Sequence, residues 1–323
     1  MKKNTFIILF ISFAFLMSAQ HPYFASLNQQ LLVTNPSFAG SNKQLRVQSN
    51  LGGYWYTNSI WYYLGADILI KKHSGFGISY HGNNYKNGLL FQNQISLTYA
   101  YHFIIKQKLK IVPSIQASYF NLRLDMTKLN FGELIGEQKW IYDPRCDWGS
   151  CEGPSPNQFK QNADFSAGLL VYKENFFIGA SILSVTQPDQ GLLGVSKRPL
   201  TQIYQGGYNF KLKQKWTCNA YTFIKVQQIY LSFLQLGTNV GYDKFKLHLG
   251  FRFNEAAIQN IGIIGINYSF KGFTMGYNFT GSYYNDNLYS NSHQLFVSMN
   301  FGNCKKKDEA AASTTPAPIK LFF

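Results

Sequence analysis

Past its first twenty residues the 323-residue chain contains no apolar run that could cross a bilayer as a helix, which takes about 18 or more consecutive apolar residues. Helical spans are therefore excluded. Acidic residues are scarce: 15 Asp and Glu stand against 30 Lys and Arg, for a formal net charge of +15. Cysteine is limited to Cys146, Cys151, Cys218 and Cys304, and none directly follows the amino-terminal leader, so a lipoprotein anchor is not expected. Catalytic constellations are missing as well. His21, His73, His81, His102, His248 and His293 are scattered, none beside a Ser and an acid in a nucleophile arrangement. Ser79 and His81 share one strand face, and Asp67, Asp125 and Asp164 read as lumen or rim polar groups. No enzyme and no cofactor are expected.

What is present is alternation. The chain is 46% hydrophobic and 17% aromatic, yet its mean hydropathy is only −0.16, because Ser, Thr, Asn, Gln and Gly dilute the apolar residues one for one. Fourteen strand-like runs follow: 44–56, 60–70, 76–85, 91–103, 110–122, 163–173, 176–186, 201–212, 216–226, 229–240, 245–254, 261–271, 273–283 and 292–302. Side chains on a strand point alternately to opposite faces, so a wall between lipid and lumen needs apolar groups only at every second position. Phe273, Met275, Tyr277 and Phe279 alternate with Thr274, Gly276, Asn278 and Thr280. Leu295, Val297, Met299 and Phe301 alternate with polar residues, with Phe296 as the exception. The aromatic groups Tyr54, Trp55, Tyr56, Trp61, Tyr62 and Tyr63 suggest an interfacial girdle.

The connections alternate too. With a periplasmic amino terminus, the turns of one parity are 71–74, 106–108, 173–175, 213–215, 242–244 and 271–272; all are short and all carry lysine. The other parity holds the stretches 125–160, 187–200, 254–260 and 284–291, although 57–58 and 227–228 are tight. A soluble β-sandwich mixes its turn lengths at both ends, so this asymmetry favours an all-β fold of the transmembrane kind: an antiparallel, fourteen-stranded β-barrel with a short N-terminal plug or rim segment.

Lys2 and Lys3, the apolar run from Phe6 to Met17, and Ser18-Ala19-Gln20 read as a secretory signal. The expected organisation is a signal peptide at 1–19, an N-terminal periplasmic or plug segment at 20–43, the outer-membrane barrel at 44–302 and a disordered periplasmic tail at 303–323. Basic charge gathers on one rim, at Lys71, Lys72, Lys106, Lys108, Lys110, Lys173, Lys213, Lys215, Lys244 and Lys271. Lysines placed singly at turns of an exported barrel do not make a nucleic-acid footprint. They suit headgroups, and they predict a dock for an acidic periplasmic partner. Cys146 and Cys151 flank Gly149 in the longest external loop of an exported chain, where a loop-pinning disulfide is expected. That loop has no His, so a zinc site is not expected. Cys218 and Cys304 fall near the lysine-bearing rim, their pairing open.

Gln20-His21-Pro22-Tyr23-Phe24, followed by Asn35-Pro36-Ser37-Phe38-Ala39-Gly40, resembles the amino-terminal pattern of the PorP/SprF family of Bacteroidota, where Ala usually stands at the position of Ser37. The resemblance continues through Asp164-Phe165-Ser166-Ala167-Gly168, Phe177-Ile178-Gly179-Ala180-Ser181 and Gly206-Gly207-Tyr208 to the closing strand with Cys304. It implies an accessory outer-membrane component of the type IX secretion system that helps export, or anchor at the surface, a protein such as a gliding adhesin. The implied partners are outer-membrane lipid, the adhesin's C-terminal domain, and periplasmic secretion or cell-wall-linked proteins. Two alternatives stand beside it. A FadL-like transporter of hydrophobic solutes should show an apolar lumen pocket and a longer plug. A diffusion porin should carry a constriction loop with opposed charges, for which Arg145 between Asp143 and Asp147 is the candidate.

Overall fold

The computed structural model describes residues 29–54, 58–105, 109–125, 128, 158–192, 194–212, 215–228, 230–254, 260–284 and 287–301. Fourteen antiparallel strands run in chain order: β1 Leu45–Tyr54, β2 Ser59–Ile70, β3 Ser74–Tyr85, β4 Leu90–Tyr101 with its continuation Phe103–Ile104, β5 Lys110–Leu124, β6 Gln158–Tyr172 and β7 Phe176–Leu183. They continue as β8 Thr201–Lys211, β9 Trp216–Gln227, β10 Tyr230–Tyr242, β11 Phe245–Asn254, β12 Asn260–Phe270, β13 Phe273–Tyr284 and β14 Asn287–Phe301. Each strand pairs with its sequence neighbours, and β1 pairs with β14 from Leu45↔Phe301 to Tyr54↔Ser292, which closes the cylinder. Closure removes the sheet edges that hydrocarbon would not tolerate.

Two faces follow from the two-residue period. Along β4, Ile95, Leu97, Tyr99, Tyr101 and Phe103 face outward and are exposed, whereas Gln94, Ser96, Thr98 and His102 are buried inside. β13 and β14 behave likewise: Met275, Tyr277, Leu295 and Met299 lie outside, Asn278, Thr280, Gln294 and Ser298 inside. Phe296 keeps the register and points into the lumen, where it is buried. Trp61 and Tyr63 depart from the expected girdle. They too are buried lumen residues, with Tyr54 packed on Trp61 at 4.7 Å between ring centroids. A side chain on Gly52 would strike the Trp61 ring, and one on Gly65 the Tyr63 ring, so the glycines of neighbouring strand positions make room for these aromatics.

The short turns share one rim, called here the lysine rim. Lys271-Gly272 links Phe270↔Phe273 with φ of 45° and 85°, and Asp243-Lys244 links Tyr242↔Phe245 with Asp243 at 53°. Two-residue hairpins with positive φ match the right-handed twist of the strands they join. At the opposite rim three boundaries differ from the sequence reading. β6 begins at Gln158 and β14 at Asn287, because each stays paired to its hairpin partner past the apolar belt. β7 stops at Leu183, because the chain then turns inward.

Candidate functional site

The lumen is occupied by the chain's own amino-terminal segment. Leu31–Thr34 forms one α-helical turn and Pro36–Phe38 a 3-10 turn. Asn35 between them is extended, φ −154° and ψ 116°, the conformation that a following proline favours. Its Oδ1 accepts the Ser37 N–H at 2.9 Å and so caps the second turn, with Pro36 at the first position, where no N–H is needed. Leu31, Leu32, Phe38 and Ala39 then bury against Ala100, Val112, Leu170, Tyr172 and Phe177 of the wall.

Every member of the Asn-Pro-Ser-Phe-Ala-Gly motif has a place in this plug. Asn35 Nδ2 donates to the carbonyls of Leu169, 3.4 Å, and Ala180, 3.2 Å. Ser37 and Ser114 hydroxyls meet at 2.7 Å. Phe38 sets its ring against the Phe177 ring, with centroids 5.6 Å apart and planes at 71°. The Ala39 carbonyl accepts from His102 Nε2 at 2.8 Å. Gly40, at φ +71°, donates its N–H to Asp67 Oδ2 at 2.8 Å. Upstream, Gln29 bonds Asn267 and Asn278 on the opposite wall, and Asn50 Nδ2 donates to its carbonyl.

The wall is shaped to receive the plug. A Cβ at Gly75 would strike the Ala39 carbonyl, and one at Gly168 the Asn35 side chain. One at Gly179 would come within 2.9 Å of Asn35 Nδ2. Sequence reading found the motif but missed these receptors and the Arg46–Asp67 pair beside them. The signal was present in the alternation: Arg46 shares lumen parity with Gln48 and Asn50, and a charge at such a position needs a buried partner.

The opposite end is covered by the connection 184–200 between β7 and β8. Thr186 Oγ1 donates to Asp164 Oδ1 at 2.7 Å, Asn162 Nδ2 to the Asp189 carbonyl, and Lys160 Nζ to Asp189 Oδ2 at 2.6 Å. The Lys160 bond, helped by the N–H groups of Ser196 and Gly191, holds the Asp189 carboxyl well below the usual carboxylate range. Arg198 reaches into the lumen, donating to Gln94 Oε1 at 3.0 Å and lying 3.7 Å from Asp164 Oδ2. Between plug and loop remains a cavity of about 50 Å³ lined by Gln30, Ser79, His81, Gln116, Asp164 and Arg198. That is room for a few waters. Among the described residues the segment 184–200 folds inward; Arg145, Asp143 and Asp147 lie outside the described residues.

Lys71, Lys72, Lys173, Lys215, Lys244 and Lys271 all sit at the lysine rim, while Lys106, Lys108 and Lys213 lie outside the described residues. Lys110 corrects the expectation: it is buried inside, with Nζ 5.3 Å from the centre of the Tyr172 ring. Cys218 is a free thiol 3.8 Å from Thr238 Oγ1. Cys146, Cys151 and Cys304 lie outside the described residues, as do the leader and the tail.

Several solved barrels are similar in outline. The TodX deltaS2S3 mutant monoaromatic hydrocarbon channel shares 11% identity, with 84% of this chain and 94% of that one covered at a TM-score of 0.49. A Pseudomonas aeruginosa FadL homologue shares 9%, covering 87% and 95% at 0.47. The KdgM porin shares 6%, covering 80% and 99% at 0.36. No curated protein matches the chain. The family model described as type IX secretion system membrane protein PorP/SprF matches residues 16–299, which include the plug motif and all of the barrel but its last two residues. With its plugged outer-membrane β-barrel, the chain belongs to the PorP/SprF family of type IX secretion system membrane proteins.

Proposed function

We propose that this outer-membrane component holds one exported surface protein, such as a gliding adhesin, by its C-terminal domain at the loop rim, which faces outward. The single observation behind this reading is the plug: the family motif is tied to the wall on several sides, and a cavity of only about 50 Å³ lies between it and the inward loop. A barrel filled in this way serves as a scaffold, without enzymatic chemistry. The lysine rim faces the periplasm, as its short turns suit. Its charge favours an acidic secretion-machinery or cell-wall-linked partner there.

Purification of the full-length chain from its own outer membrane should bring down one large exported protein. Charge reversal at Lys213 and Lys215 should weaken capture of the periplasmic partner at low salt, where exposed charges act over the longest range. A diffusion porin would instead give substantial sugar flux in liposome swelling, and a FadL-like transporter would take up hydrophobic solutes. The small volume of the cavity between plug and loop supports neither.

A further inference from the structure

Among the described residues the longest gap in the strand ladder lies beside β6. β6 pairs with β5 along its whole length, from Leu124↔Gln158 to Lys110↔Tyr172, but with β7 only from Ala167↔Ile182 to Tyr172↔Phe177. One further bond, from the Val185 N–H to the Phe165 carbonyl at 2.9 Å, extends the seal. Alternate residues of a strand turn their peptide groups to the same side, so Phe165 fixes the parity. Phe159, Gln161 and Ala163 also turn N–H and C=O toward the missing neighbour. Among the described residues no backbone group bonds to them on that side. Loop 184–200 does not replace the strand, because it grips the inward side chains of Lys160, Asn162 and Asp164. Phe159, on the outward parity, is left 67% exposed.

The height of this edge decides what it meets. Outward residues across the β5–β6 pair run Ala117↔Phe165, Tyr119↔Ala163, Asn121↔Gln161 and Arg123↔Phe159. The apolar belt thus ends at Tyr119, and the open edge stands in water above it. Hydrocarbon would penalise such a row by several kcal/mol per unpaired group. Water tolerates it, and leaves a template for another strand. We infer that Phe159–Ala163 of β6 is a strand-addition site for an extended segment of the exported polypeptide. The occupant follows from the groups on offer: alternating donors and acceptors at strand spacing are matched by a peptide backbone and not by an acyl chain. This inference rests on the proposed capture of an exported protein and names the means of capture.

Proline tests it in the full-length chain in its own membrane. Gln161→Pro removes an edge donor and spares the β5 ladder, which Lys160 and Asn162 serve. Proline is tolerated where the N–H faces solvent. The variant should retain about tenfold less of the copurifying exported protein, the effect of one lost hydrogen bond with its neighbours. Gln161→Thr, which keeps the donor, should restore retention, and a photocrosslinker replacing Phe159 should attach to that protein. Phe159→Pro gives a second reading if Gln161→Pro does not fold. Full retention by both proline variants, or crosslinks to lipid alone, overturns strand addition and leaves the capture reading intact. Absence of any exported partner on the wild-type chain overturns both.

Discussion

Arg46 on β1 and Asp67 on β2 are direct neighbours in the sheet register, and their side chains meet inside the barrel with Nε 2.7 Å from Oδ1. Both also hold the plug, Arg46 through the Phe38 carbonyl at 3.2 Å and Asp67 through the Gly40 N–H at 2.8 Å. Both are buried, at 0% and 3% exposure. The pair therefore couples closure of the wall between two strands to the position of the motif.

Removing one partner leaves the other charge buried, a change that costs about 3–5 kcal/mol. Asp67→Asn and Arg46→Met should each lower the urea midpoint of folding in detergent and raise ion conductance in planar bilayers as the plug loosens. The double variant Arg46→Met with Asp67→Leu should recover part of the stability without restoring the Gly40 contact. If the single variants stay silent in conductance, the pair does not hold the plug.

Glycine substitutions separate plug docking from barrel folding. Gly75→Ala places a methyl group against the Ala39 carbonyl, in a contact where backbone rather than a flexible side chain must yield. Overpacking of this kind costs about 1–3 kcal/mol. Gly262→Ala, whose added carbon would meet its nearest atom at 3.9 Å, is the matched control. Conductance should rise in the first variant and stay at the wild-type level in the second.

The Lys160–Asp189 clasp sets a pH expectation for the loop rim. The carboxyl of Asp189 is held below its usual 3.8, by the Lys160 bond first and then by the N–H groups of Ser196 and Gly191. A lowered folded value means that the contribution is complete above the ordinary value and fades only as pH falls through the lowered one. A spin label at the exposed Val195 should therefore keep its mobility from neutral pH down to the ordinary range, and loosen only in stronger acid. Asp189→Asn should be loose throughout. Loosening of the wild-type loop between pH 7 and 5 would show that the clasp does not control it.

On the outer face, Leu97→Arg or Ile178→Arg sets a charge where exposures of 62% and 64% mark side chains directed at lipid. Near the bilayer midplane the cost is about 2–4 kcal/mol. Refolding into lipid vesicles should show it, whereas in detergent the loss should be smaller. An equal loss in both media would argue that these positions do not contact lipid.

Much of this architecture was legible in the residues. The period of two gave the strands, and the marked asymmetry of turn length gave antiparallel closure, because both depend on local chemistry that a short window displays. Even Phe296, which broke the apolar pattern, kept its parity. What escaped was pairing at a distance. Trp61 and Tyr63 looked interfacial because aromatic clusters usually are, yet Gly52, which makes room for Trp61 from the neighbouring strand, is found only through the register. Lys110 read as a rim residue because it follows a turn, while the Tyr172 ring that receives it lies 62 positions away. The unpaired edge of β6 was hidden for the same reason: it results from β7 stopping at Leu183, and no feature of 158–163 alone announces it.

Asn42 Nδ2 donates to Asn300 Oδ1 at 2.6 Å, joining the end of the plug to a residue near the end of the last strand. The two asparagines are 258 positions apart, so this bond forms only after almost the entire polypeptide has been synthesised and threaded. The same segment is held by Asp67 near the start of the barrel and by Asn300 near its end, so its full set of contacts exists only once the cylinder has closed.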